Sequence, residues 1–141
     1  MAIFRQSAQL TLANPDGLYD PAGYGYSHVA QVAAASRLVY IAGQGGETED
    51  GHYAEGFQAQ VRQAFKNLLT ALRSAGAGPK DVAKLTVYIV DHSEARLGIY
   101  GAELMVAWGE TPKPACTLVP VPRLALDVML FEIEAVAALP G

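Results

Sequence analysis

The chain has little charge and almost no sulfur or indole. Of its 141 residues 17% are charged, one is cysteine and one is tryptophan. Ten Lys and Arg against fourteen Asp and Glu give a formal net charge of −4 and a pI near 5.2. The basic residues are scattered, so no stripe is available to neutralise a phosphate backbone, and nucleic acid is disfavoured as the main ligand. One cysteine cannot form an internal disulfide, which fits a reducing compartment, and the cytoplasm is the expected location. No stretch approaches ~18 consecutive apolar residues, so membrane insertion is not expected. Met1 to Leu12 holds one Arg and no run long enough for a signal-peptide core, so secretion is not expected either. The chain also lacks a P-loop, a strand-linked GxGxxG, a nucleophile elbow, HExxH and paired-cysteine spacing. His28, His52 and His92 lie far apart on dissimilar segments, and neither a metal nor a cofactor is expected.

What is abundant is apolar side chain, at 51% of residues with a mean hydropathy of +0.16. The length suits one domain over residues 1–141, with one core and no repeats. Such a composition excludes a disordered chain. Either the excess lies on an apolar subunit interface, or alanine inflates the figure without exposing anything.

Gly, Pro and Asp divide the chain into units. Asn14-Pro15-Asp16-Gly17 is a turn signal, and a Gly- and Tyr-rich loop follows from Pro21 to Gly25. His28 to Ala33 alternates weakly and Arg37 to Ala42 is a β-branched and aromatic run, so both read as strands. From near Ala54, Phe57, Val61, Ala64, Phe65, Leu68, Leu72 and Ala75 recur on one face of a helix that Gly76, Gly78 and Pro79 stop. Leu85 to Val90 reads as a strand covered on both faces. Asp91 or Ser93 can cap a second helix, roughly Glu94 to Trp108, in which Gly98 and Gly101 each cost about 1 kcal/mol relative to Ala. Ala115 to Val121 and Val128 to Ala137 complete a strand-strand-helix-strand-helix-strand-strand order. That order predicts an α+β or α/β sandwich with two helices on one face of a mixed sheet. Nothing in the sequence supplies a third layer, so a partner chain is the natural cover for the other face.

Few residues stand out for chemistry. Gly43-Gln44-Gly45-Gly46 ends a strand, but no helix starts directly after it and no Lys-Ser/Thr pair follows, so a plain turn is the better reading than a phosphate cradle. Cys116 is either a buried small hydrophobe or a thiol lining a pocket, reactive only if a nearby positive charge lowers its pKa. Glu132 and Glu134 flank Ile133, so both carboxylates share one strand face in an apolar segment. There they are solvated, paired with Arg123 or Lys84, or poised as a general acid or base. Tyr19, Tyr24 and Tyr26 crowd one loop, where they rim a pocket or simply pack together.

These pieces in this order resemble the reactive-intermediate deaminase family, also called Rid or YjgF. The resemblance runs from about Gly25 to Ala137. It rests on Gly25-Tyr26-Ser27-His28, on Leu38 to Gln44, and on Gln60-x-Arg62-Gln63-Ala64-x-x-Asn67-Leu68 leading to Ala75-Gly76-Ala77. Asp81-Val-x-Lys84-x-Thr86-Val-Tyr, Arg123-Leu124 and Glu132-Ile-Glu-Ala-Val-Ala137 complete it. The resemblance implies a chorismate-mutase-like α+β fold, a homotrimer, and small-molecule clefts between subunits where enamines or imines such as 2-aminoacrylate are hydrolysed to keto acids and ammonia. Carried over residue by residue, it gives Tyr26 as the cleft tyrosine, Gly43 as the backbone glycine and Glu132 as the carboxylate that positions water.

The match departs at three places. Cys116 stands where the family's carboxylate-binding Arg belongs, Ala42 where a Ser often precedes the glycine, and Ile99 where an Asn is found. With Thr117 beside Cys116, these residues are expected to line the cleft, with Glu132 and Cys116 the catalytic candidates. An Arg–carboxylate contact is worth about 1.5–3 kcal/mol and Cys cannot supply it. The implied protein therefore handles a less polar imine or enamine than 2-aminoacrylate, or is a non-catalytic ligand-binding or regulatory trimer. A ribonuclease is disfavoured by the acidic balance.

Overall fold

Seven strands and two helices account for most of the chain in a computed structural model that describes residues 1–141. β1 (Ala2–Arg5), β2 (Leu10–Asn14) and β3 (Val29–Val32) form an antiparallel sheet in the order β1-β2-β3. β4 (Arg37–Gln44), β5 (Val82–Val90), β6 (Ala115–Val121) and β7 (Phe131–Leu139) form a second, mixed sheet in the order β4-β7-β5-β6. Its β5–β6 pair is parallel because α2 (Glu94–Trp108) carries the chain across, and the other two pairs are antiparallel. The sheets meet where Ser27 bridges Ala115, with the Ser27 amide donating to Pro114 O at 3.0 Å and its hydroxyl to Lys113 O at 2.7 Å. The two-helix, mixed-sheet α+β architecture is the one the sequence predicts, except that β1 and β2 precede the expected strands. β1 is exposed along its whole length, so no burial pattern marks it, and it is held by backbone pairing to β2.

The core lies between the four-stranded sheet and the helices. α1 (Phe57–Ser74) buries the predicted stripe Phe57, Val61, Ala64, Phe65, Leu68 and Leu72, and left-handed Gly76 ends it. Ser93 is the residue that caps α2, its hydroxyl accepting from the Arg96 amide at 3.1 Å, while Asp91 takes a left-handed turn position. Leu85, Val87, Ile89, Phe131, Ile133 and Ala135 face the helices and are buried. The rings of Phe65, Tyr100 and Phe131 pack together, with centroids 5.9–6.3 Å apart.

Gln60 is a polar member of this core, 2% exposed. Its Nε2 donates to Val128 O at 2.9 Å and its Oε1 accepts from the Leu130 amide at 2.8 Å, fastening the loop before β7 onto α1. Both partners lose their mate in Gln60→Leu. Because Val128 is half exposed, water replaces one bond, while the Leu130 amide is left part-buried without its partner. The substitution is expected to lower stability by about 1–3 kcal/mol, read as an earlier urea midpoint with an unchanged slope.

The opposite face of the mixed sheet carries no helix. By register it presents Leu38 and Tyr40 from β4, Lys84, Thr86 and Tyr88 from β5, Thr117 from β6, and Glu132 and Glu134 from β7. Tyr40 is 73% exposed there. No helix of the chain is long and apolar enough to cross a membrane.

Candidate functional site

A cavity of about 350 Å³ lined mostly by apolar and aromatic residues lies beside the edge strand β6. Three elements build it: the loop through Tyr19, Tyr24, Gly25 and Tyr26, the α2 residues Leu97 and Tyr100, and Cys116, Thr117 and Leu118 of β6. No charged side chain is among them. The loop owes its shape to packing between its own rings and to three hydrogen bonds. The Tyr19 ring stands edge-on to Tyr24, Tyr26 and His28 with centroids 6.2, 6.4 and 5.0 Å away. Its hydroxyl bonds that of Tyr26. The His28 ring nitrogen Nε2 meets Tyr19 O at 2.7 Å, and the His28 amide donates to Asn14 Oδ1 at 2.9 Å. These loop tyrosines thus do both things the sequence left open: they pack on each other and they rim a cavity.

At the cavity floor the Tyr100 hydroxyl and the Cys116 sulfur lie 3.6 Å apart. Burial pushes the Cys116 thiol up, against the smaller opposing effects of the Tyr100 hydroxyl and the Lys84 charge. Burial, with the neighbouring sulfur, holds the Tyr100 phenol well above its ordinary range. Both groups are neutral at physiological pH, and a neutral thiol is a poor nucleophile. Iodoacetamide is accordingly expected to modify Cys116 more slowly than a free cysteine between pH 7 and 8, with the rate still climbing above pH 9, where a free thiol levels off. Alkylation followed by intact mass at each pH checks this.

Glu132 is placed differently. β4 carries one extra residue against β7 between Ile41 and Gln44, a bulge at Ala42–Gly43. The bulge brings the Gly43 backbone under the Glu132 side chain so closely that a Cβ at position 43 would sit 1.8 Å from Oε1 and 2.9 Å from Cγ. Glycine is required there by proximity rather than by backbone twist. Neither proposed neutralising partner reaches the paired glutamates: Arg123 bridges Asp127 at 3.0 Å, and Lys84 donates to Thr117 Oγ1 at 2.6 Å. Glu134 accepts from the Tyr88 hydroxyl at 2.6 Å, which raises the Tyr88 phenol with a further contribution from the Glu132 charge. Glu132 has no hydrogen-bond partner within the chain and is half-buried beside Gly43.

The sequence-predicted residues therefore fall into two groups. Tyr26, Cys116 and Thr117 line the cavity. Gly43 and Glu132 meet one another, with Ala42 exposed in the same bulge, on the helix-free face of the sheet. Cys116 pairs in register with Leu85 and Glu132 with Tyr88, so thiol and carboxylate lie on opposite faces and no single chain brings them together. Ile99 packs against the main core and is not part of the lining, to which α2 contributes Leu97 and Tyr100. Leu97, Tyr100, Leu118, Tyr19, Tyr24 and Gly25 complete the lining. Of these, Leu97 and Tyr100 stand three positions apart on one face of α2, a spacing that marks burial but does not separate cavity from core.

The Gly43–Gly46 turn presents its carbonyls to α1. Asn67 Nδ2 donates to Gly45 O at 3.0 Å and Glu47 O at 2.8 Å. Gly46 is pressed against Gln60, where a Cβ would lie 2.6 Å from its Cα. His52 pairs with Asp50 at 3.1 Å on an exposed turn, far from the cavity lining, and no group of three or more His, Cys, Asp or Glu side chains is positioned to hold a metal ion.

Comparison with known proteins bears on what this geometry belongs to. Residues 20–139 match the family model described as Endoribonuclease L-PSP. A RutC family protein of Pyrococcus horikoshii is 38% identical over 111 residues, covering 77% of this chain and 84% of that protein. A 2-iminobutanoate/2-iminopropanoate deaminase of Salmonella typhimurium is 32% identical over 91 residues, covering 64% of this chain and 70% of the enzyme. A crystal structure of a Rid-family protein of unknown function from Yersinia pestis superposes with a TM-score of 0.87 at 34% identity, covering 93% of this chain and 99% of that one. The bulge glycine under a carboxylate, the tyrosine loop and the mixed sheet thus sit in a known lineage, and the chain belongs to the Rid/YjgF family.

Proposed function

We propose that this chain is a hydrolase of small imines or enamines that carry no carboxylate, working in a cleft between subunits of a homotrimer. The observation that carries the reading is the cavity at Cys116, which holds aromatic and aliphatic side chains and no guanidinium or ammonium group. A carboxylate moved into such a site would lose its hydration without gaining a counter-ion. An uncharged, apolar or aromatic imine would lose little.

In this reading the helix-free sheet face of one protomer abuts the tyrosine-rimmed cavity of its neighbour. Tyr40 and Leu38 supply exposed apolar surface there, and Glu132 on the same face stands without a partner. That arrangement joins two half-sites that one chain keeps apart. Water adds to the imine carbon as Glu132 takes one of its protons and hands it to the nitrogen. The carbinolamine then collapses as Glu132 passes the hydroxyl proton to the departing nitrogen, so that imine plus water gives carbonyl plus ammonia. Cys116 is a neutral wall of the cleft in this scheme, because burial keeps it a thiol. That the Salmonella relative is a 2-iminobutanoate/2-iminopropanoate deaminase supports the reaction class, while Cys116 and Leu97 in the cavity favour a different substrate.

A second reading, a binding trimer without catalysis, is favoured by the same separation of Glu132 from the cavity if the neighbour fails to close it. Imines released in situ by an amine oxidase, with ammonia formation followed against the uncatalysed background, separate the two. Hydrolysis faster than background supports the enzyme. Ligand-induced thermal stabilisation across the panel with no extra ammonia supports the binder. Phosphodiester chemistry finds little support in an apolar cavity on a chain of net charge −4.

A further inference from the structure

We propose that Tyr100 and Cys116 together form a subsite for a neutral hydrogen-bond acceptor, the imine nitrogen or carbonyl oxygen of the ligand, and that this subsite rather than an ion pair anchors what the cleft binds. The inference rests on the reading of this cavity as the ligand site, and not on catalysis taking place there.

Tyr100 is 3% exposed, its ring fixed against Phe65 and Phe131 in the core, yet it also lines the cavity. A buried phenol ordinarily finds a good hydrogen-bond partner. Here the single partner the chain offers is a sulfur at 3.6 Å, a weak acceptor at long range. The hydroxyl therefore sits at the floor of an apolar hollow with most of its donor capacity unspent. The thiol beside it is likewise a neutral donor. Two neutral donors and no cation match a ligand atom with a lone pair and no charge. A carboxylate would find no positive partner among the lining residues, the Lys84 ammonium beside them being engaged by Thr117 Oγ1, and a pure hydrocarbon would leave the phenol as it is. The Tyr100 phenol titrates far above neutrality, so it serves as a fixed donor that orients the acceptor and not as a general acid.

The experiment compares three probes of similar shape on the native protein by calorimetry: benzamide as the neutral acceptor, benzoate as the anion and ethylbenzene as the hydrocarbon. Benzamide is expected to bind most tightly. In Tyr100→Phe, which keeps the ring packing, benzamide affinity is expected to fall roughly two- to tenfold, the value of one neutral hydrogen bond. Ethylbenzene affinity is expected to stay unchanged. Bound benzamide is also expected to slow alkylation of Cys116 in the native protein. The proposal is overturned if benzoate binds more tightly than benzamide, if Tyr100→Phe leaves benzamide binding intact while remaining folded by circular dichroism, or if benzamide shows no saturable binding at millimolar concentration. Should Tyr100→Phe fail to fold, Cys116 protection in the native protein decides the matter: equal protection by benzamide and ethylbenzene at equal occupancy overturns it. Failure of imine turnover with the benzamide preference intact would count against the hydrolase reading alone.

Discussion

Glu132→Gln is expected to reduce imine hydrolysis by about 10²–10⁴-fold, the range in which removal of a positioned general base falls, while leaving unfolding nearly unchanged. The amide keeps the volume of the carboxylate beside Gly43, so the substitution changes proton affinity without opening a hole. No side chain within the chain loses a hydrogen bond, because Glu134 and not Glu132 takes the Tyr88 hydroxyl. Steady-state ammonia release from a substrate found in the imine panel, alongside urea unfolding of both proteins, measures the two quantities. Comparable turnover in Glu132→Gln and the parent protein would remove Glu132 from the chemistry.

Gly43→Ala is expected to have an effect of similar size for a different reason. The new Cβ would occupy the space of Oε1, and because it also comes within 2.9 Å of Cγ the whole glutamate side chain must swing, not its tip alone. Gly43 lies at negative φ, so alanine brings no backbone strain. The carboxylate is displaced by an ångström or more, enough to cost about 10²-fold in a reaction that depends on its position. The two substitutions act through one group. Glu132→Gln and Gly43→Ala combined should therefore be little worse than Glu132→Gln alone, and a double-mutant cycle on kcat tests this non-additivity. Fully multiplicative effects would mean that Gly43 contributes separately from Glu132.

The legibility of the molecule in its sequence varied with how each feature is encoded. α1 announced itself through a seven-residue stripe, six members of which are buried, and its Gly76 stop takes the left-handed turn expected of it. β5 and β7 were legible as β-branched or alternating runs, although β7 starts three residues later than Val128 and ends two residues beyond Ala137. β1 was not legible, because an exposed strand held by backbone bonds needs no particular side chains. β2 buries Leu10 and Leu12 at period two, but in five residues that signal is too short to separate from a loop. For the site, adjacency along a motif did not translate into adjacency in space. Glu132 and Cys116 stand on neighbouring segments of the sequence motif, and the two-residue periodicity of their strands puts them on opposite faces of the sheet. Ile99 and Leu97 are two positions apart on α2, about 200° around the helix; both pack against the core, and Leu97 also lines the cavity. Gly98 and Gly101 have open space where side chains would stand, and no contact within the chain explains them.

We propose that a cleft lined without a cation turns this member of the family away from carboxylate-bearing substrates. This is tested most directly by kcat/KM for a matched pair of imines, one released from an amino acid and retaining its carboxylate, the other released from the corresponding amine and lacking it. The account predicts a preference for the carboxylate-free imine by roughly tenfold or more, the value of the missing charge-assisted contact. A preference for the carboxylate-bearing imine of the same body would contradict it.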